Sequence, residues 1–197
     1  MLFHKDQLRI GVEEEFPDQP EALHVAGNVR HVVGRKQVDL ARTIGMLVPN
    51  EHVHVPSMGS WSMHHLMAYI LEQTGPADVW FTTWTIAEEA VRIMLEQFEA
   101  GNIRQLRALL SERTEAMNPK AHQLVRFNVD VRFTKIHAKS LVVMNDAHAV
   151  TVGGSANFTR NPRIEKYIIC THRAVAEREV EWIEKVREKA DPFAAHD

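Results

Sequence analysis

The stretch "VDVRFTKIHAKSLVVMNDAHAVTVGGSANFTRNPRIE", residues 129–165, carries most of what can be read from this chain. "VDVRFTKIHAKSLVVM" and "HAVTVGG" are rich in Val, Phe and Thr, and "NDA" between them is turn chemistry, so the pair reads as a β-hairpin. Residues two apart on a strand leave the same face. His137 and Lys139 are therefore expected side by side, as are Ser155 and Asn157 beyond Gly153-Gly154. Glu165 follows shortly after.

An imidazole, a fixed positive charge and two neutral hydrogen-bonding groups suit a tetrahedral anion. Phosphoryl transfer is mostly positioning and neutralisation of charge on nonbridging oxygens, which Lys, Ser and Asn supply without a metal. A neutral His can attack phosphorus through one ring nitrogen and so split a hard displacement into two easier ones. A carboxylate on its other nitrogen would fix the tautomer, and Glu165 is the nearest candidate.

Strands and helices alternate around this stretch. "EHVHVPS" (51–57) alternates in the period of a strand, and "ADVWFTTW" (77–84) reads as a buried one, with Trp80 and Trp84 as core. Between them "WSMHHLMAYILEQTG" repeats Trp61, His65, Leu66, Tyr69 and Ile70 at helical spacing and stops at Gly75-Pro76. "TIAEEAVRIMLEQFEAG" reads as a helix from a threonine cap, "IRQLRALLS" as a strand, and "NPKAHQLVRFN" as a short helix with Pro119 near its start. "RKQVDLARTIGMLV" reads as a short helix, and "RAVAEREVEWIEKVREKA" as an amphipathic one with Val175, Val180, Ile183 and Val186 inward. The expected fold class is α/β, a mixed sheet flanked by helices. Residues 1–45 are expected to be an N-terminal accessory arm, and 46–197 the domain proper.

Composition narrows the function classes. The 197 residues are 45% hydrophobic and 25% charged, the balance of a globular chain. No apolar run is long enough to span a bilayer, and "MLFHKDQLRIGVEEEF" is charged where a signal peptide is apolar, so a cytoplasmic protein is expected. The single cysteine, Cys170, makes no internal disulfide and reads as core. Net charge is −3, but unevenly spread: residues 1–100 carry 7 Lys+Arg against 14 Asp+Glu, and residues 101–197 carry 16 against 12. An anionic substrate would meet the second half. There Arg132, Lys135, Arg160 and Arg163, with His122, Arg126 and Lys166, flank the motif and could track phosphates. His52, His54, His64 and His65 lack a cysteine or a spaced carboxylate to complete a zinc set and are read as surface or core histidines.

At these residues the chain resembles the phospholipase D superfamily, whose motif is H-x-K-x(4)-D, then G-S-x-N, then a Glu. "HAK" matches with His137 and Lys139, "GSAN" with Gly154, Ser155 and Asn157, and "PRIE" with Glu165. The resemblance extends back to about Val79 and implies an α-β-α sandwich. It also implies a phosphohistidine intermediate, a second His protonating the leaving oxygen, and no metal or other cofactor. Two features depart from the pattern. Met144 stands where the motif has Asp, with Asp146 two positions later as a substitute, and the stretch from His137 to Asn157 is three residues longer than usual. Family members build one site from two motif copies, and this chain has one. "HKD" at His4-Lys5-Asp6 lacks the spacing and is no second copy. A homodimer is therefore implied.

The expectation is a metal-independent phosphodiesterase, a nuclease whose partner is nucleic acid, with DNA expected ahead of RNA and no membrane partner. The alternatives are a catalytically impaired module that binds nucleic acid or regulates, and a lipid phosphodiesterase, which the lack of a basic amphipathic membrane helix disfavours.

Overall fold

The computed structural model describes residues 22–34, 39–160, 162–190 and 192. In chain order the elements are β1 (Asn28–His31), α1 (Leu40–Ile44), β2 (Glu51–Pro56), α2 (Met63–Thr74), β3 (Ala77–Thr83), α3 (Glu88–Glu99) and β4 (Ile103–Ser111). They continue with α4 (Thr114–Met117), α5 (Pro119–Asn128), β5 (Asp130–Thr134), β6 (Ser140–Met144), β7 (Ala149–Gly154), β8 (Lys166–Cys170) and α6 (Arg173–Lys189). Among the described residues all strands join one mixed sheet, ordered β1-β2-β8-β7-β6-β3-β4-β5.

Alternation along the central strands builds two cores, one on each face. Val79 and Phe81 of β3, with Leu141 and Val143 of β6, enter the large core under α2 and α3. Trp80 and Val142 point the other way and meet Ala176 and Ile183 of α6. The layers are helix, sheet, helix, as an α/β sandwich requires. Trp80 also donates its indole N–H to Glu184 at 2.7 Å, which gives a buried polar atom its partner.

Several elements follow their sequence signals. β2 buries Val53 and Val55 and leaves His52 and His54 partly exposed, as its alternation requires. α2 starts after Ser62 and ends at Gly75, whose φ of 71° suits glycine. α1 begins at Asp39, which accepts the Arg42 backbone N–H at 2.7 Å, and ends at Gly45. In the stretch read as an arm, β1 adds an edge strand parallel to β2, and Ile44 sits in the large core. Residues 1–21, including His4-Lys5-Asp6, lie outside the described residues.

Two expectations need correction. Helix α3 starts at Glu88 and not at a Thr85 cap, because Ile86 bridges to Phe158 and Ala87 donates to the Phe158 carbonyl at 2.9 Å. Those contacts hold the approach to the helix extended. The larger correction concerns residues 129–144, which form two strands and not one. β5 pairs with β4 at the sheet edge, whereas β6 lies between β7 and β3. The turn at 145–148 does join β6 to β7 as a hairpin. β5 runs parallel to β4 and β3, and β6 runs back against β3. Residues 135–139 must therefore cross over the carboxyl ends of β4 and β3.

Candidate phosphate site at the end of the sheet

This crossover lifts His137 and Lys139 off any strand and sets them above the end of β3. Their proximity survives the change: Lys139 Nζ donates to His137 Nδ1 at 2.8 Å and to the His137 carbonyl at 2.7 Å. The His137 ring meets the Trp84 ring, with centroids 5.4 Å apart and planes tilted by 43°. Trp84 is thus half-buried beside His137 and is not the strand core that its sequence context suggests. Burial lowers the Lys139 pKa from its ordinary value, while the nearby charge of Glu165 opposes that shift.

The "GSAN" segment arrives at the same end. Ser140, at the start of β6, pairs in register with Thr82 of β3 and Gly153 of β7, so the chain after β7 emerges beside the crossover. A Cβ on Gly154 would fall 2.0 Å from the Lys166 carbonyl oxygen, so glycine there permits the close approach of β7 to β8. Ser155 then donates its hydroxyl to Glu165 Oε2 and accepts the Lys166 backbone N–H at 3.0 Å. Thr83 donates its hydroxyl to the Thr85 carbonyl at 2.8 Å and shares that proton with Asn157 Oδ1 at 3.2 Å. Asn118 donates to the Thr85 hydroxyl at 2.8 Å. Thr83 and Thr85 therefore anchor the backbone on both sides of Trp84. The sequence reading gave none of Thr83, Thr85 and Asn118 a place at this site.

Not every candidate reaches this end. Asp146 lies in the β6–β7 turn, the length of β6 away, where its carbonyl accepts from Arg173 at 3.0 Å. Met144, in the position of the motif's Asp, packs against the small core with Trp80 and Val142. Arg132 donates to Asp130 at 3.1 Å on the edge strand, a carboxylate that it shares with Arg187 and Arg107. Lys135, Arg160 and Arg163 are exposed on segments flanking the site. His122 is buried against Phe133.

One group among the described residues has the composition of a metal site. His64, His65 and Glu89 each place a ligand atom within 4.8 Å of the others, and Glu89 is the spaced carboxylate that sequence alone does not reveal. Two features weigh against an ion. His65 Nδ1 already accepts the Ser62 N–H at 3.2 Å, which leaves a proton on the other nitrogen of a neutral ring. The positive charge of Arg160 also reaches both rings. His64 is fully buried, and that burial, with the charges of His65 and Arg160, lowers its pKa to about 4.

With this geometry in view, the chain compares with proteins of known structure. No family model and no curated protein sequence matches it. Its fold is similar to that of Nuc from Salmonella typhimurium, a phospholipase D family member, with 12% identity and a TM-score of 0.50 over 66% of this chain and 91% of that one. Two further similarities are weaker. NucT from Helicobacter pylori gives 10% identity and a TM-score of 0.49 over 59% of this chain and 82% of that one. The archaeal chromatin protein TrmBL2 gives 10% and 0.49 over 72% and 54%. The mixed sheet with helices on both faces is a phospholipase D-like α/β fold. No helix among the described residues is long and apolar enough to cross a membrane.

Proposed function

We propose that this chain is a phosphodiesterase of the phospholipase D type acting on nucleic acid, a nuclease that works through a phosphohistidine on His137 in a homodimeric site. One observation carries the reading: the crossover, "GSAN" and Glu165 come from separate strand ends and converge on one end of the sheet.

His137 is the nucleophile. At rest the Lys139 ammonium lies 2.8 Å from His137 Nδ1 and 3.3 Å from Nε2, so it competes for the ring lone pair that attack requires. An incoming phosphodiester draws Lys139 onto a nonbridging oxygen and releases Nδ1. The proton then sits on Nδ1, with Glu165 the carboxylate that would hold it there, and the Nε2 lone pair attacks phosphorus. A P–N bond forms as the P–O bond to the leaving group breaks. The leaving oxygen takes its proton from His137 of the partner subunit. Water then cleaves the P–N bond and restores both rings. Asn157 and Lys139 hold the phosphate oxygens, and Ser155 keeps Glu165 in place.

The reaction needs no metal at this site. A two-metal mechanism requires several carboxylates close together, and with Asp146 at the far end the motif contributes Glu165. Met144 is packed under α6, so its replacement of Asp bears on packing and leaves the chemistry at His137 intact.

Plasmid DNA, oligonucleotides, bis-p-nitrophenyl phosphate and a fluorescent phospholipid, each with and without EDTA, test the reading. Cleavage of the first three in EDTA supports it. Binding of DNA without turnover would favour the impaired module, and turnover confined to phospholipid the lipid enzyme. Exchange of wild-type subunits with His137→Ala tests the shared site: activity should fall as the square of the wild-type fraction, and a linear fall would refute the dimeric mechanism.

A further inference from the structure

We infer that Trp84 is a stacking platform for the nucleobase next to the scissile phosphate, which makes unpaired, single-stranded nucleic acid the preferred substrate. This inference rests on the nuclease reading above and extends it to substrate form.

Three observations converge on it. First, Trp61 and Trp80 are each 6% exposed, whereas Trp84 is half-buried and lies beside His137. A large aromatic ring left partly open next to a phosphate-binding group is the arrangement on which a base can stack. Second, the ring is held in place before any ligand arrives. Thr83 is tied to the Thr85 carbonyl and Asn157, Thr85 to Asn118, and Ile86 to Phe158, so the backbone on both sides of Trp84 is fixed. A platform that is already ordered loses little freedom on binding. Third, exposed Lys135, Arg160 and Arg163 flank the site. Aromatic rings interleaved with cations are how sequence-tolerant proteins hold single strands, the ring taking a base face and the cations the backbone. A base inside a duplex has both faces covered by its neighbours and cannot offer one to Trp84 without unstacking.

The test uses His137→Ala protein, which binds without cleaving, and short oligonucleotides carrying an abasic site at successive positions. Single strands should bind more tightly than the duplex of the same sequence. One abasic position should weaken binding about five- to 150-fold, the range for losing a stacked base. In Trp84→Leu that same abasic substitution should cost almost nothing, because its partner is already gone. Trp84→Phe should keep part of the coupling, which separates loss of the ring from damage to the fold. Additive effects of Trp84→Leu and the abasic site, or equal weakening for single strand and duplex, would overturn the inference and leave the nuclease reading standing. A wild-type protein that neither binds nor cleaves nucleic acid would overturn both.

Discussion

The two ends of β6 look alike in sequence and differ in the structure. Before the strand stand Lys135, His137 and Lys139, and after it Asp146 and His148, so either end offers charge and imidazole. Five residues of strand, roughly 16 Å, separate them. The leading end meets Trp84, "GSAN" and Glu165 because three other segments finish or begin there. The trailing end is a tight turn in which Asn145 Oδ1 accepts the backbone N–H groups of Ala147 and His148 at 3.0 and 2.8 Å. Polar composition marks both ends. Strand direction decides which one gathers a site.

The largest effect that would break this contrast is on the leading end. His137→Ala should lower turnover on the order of 10⁴-fold or more, as loss of a nucleophile does, with an unchanged thermal midpoint because the side chain is exposed. A rapid acid quench of wild type should leave acid-labile phosphate on His137. Near-normal turnover in the variant would remove the nucleophile from this end altogether.

Lys139 comes next. Lys139→Met should cost about 10² to 10³ in kcat, the range for losing one charge-stabilising donor. Its pH signature has a definite sign. Burial lowers the Lys139 pKa, so the ammonium is lost as pH rises through a value below that of a free lysine. Activity should therefore have an alkaline limb beneath pH ~10.4, and Lys139→Arg should remove that limb while retaining part of the rate. An alkaline limb unchanged in Lys139→Arg would assign it to another group.

A stability effect of intermediate size sharpens the contrast from below the site. His64 is buried at the start of α2, near His65, Glu89 and Arg160, and its pKa falls to about 4. A depressed folded pKa means that the stability is present above the unfolded value of about 6.5 and is lost as pH drops through 4, roughly 3 kcal/mol over that window. Urea midpoints measured from pH 7 to 4 should fall accordingly. His64→Leu should flatten that part of the curve, and an equally steep fall in the variant would assign the acid sensitivity elsewhere.

How legible was this in the sequence? The short-range pieces were. "EHVHVPS" alternates because Val53 and Val55 face the core, and Gly75 ends a helix where φ is positive. The proximity of His137 and Lys139 was legible too, since residues two apart stay close whatever backbone holds them. The crossover was not. No Gly, Pro or Asn marks a turn between Val129 and Met144, and the break follows from β5 finding β4 while β6 finds β3, pairings that no local signal specifies. Trp84 was missed for a related reason. It shares strand parity with Trp80, but the strand ends at Thr83, so the ring escapes the core that Trp80 enters.

Met144 turns that lesson into a smaller test. If the motif's Asp were needed for chemistry, Met144→Asp should raise turnover. The structure gives the opposite expectation: the side chain packs with Trp80 and Val142, so a carboxylate there should cost about 1–3 kcal/mol in urea denaturation and leave the rate of the folded protein alone.

The smallest effect belongs to Asp146, and its smallness is the point. Resemblance makes Asp146 a stand-in for the missing acid, and a stand-in that held the site together would lose at least tenfold in turnover on conversion to Asn. Position argues otherwise. Its backbone carbonyl, not its carboxylate, accepts from Arg173, and a change of side chain leaves that bond intact. The residue lies in a turn on the far side of β6, where a surface substitution moves stability by half a kcal/mol or so at most. Asp146→Asn should therefore keep kcat and KM within about twofold and shift the urea midpoint barely at all. A tenfold loss would mean that the turn and the crossover meet in the working assembly, and the proposed homodimer would then have to bring the trailing end of one subunit to the leading end of the other.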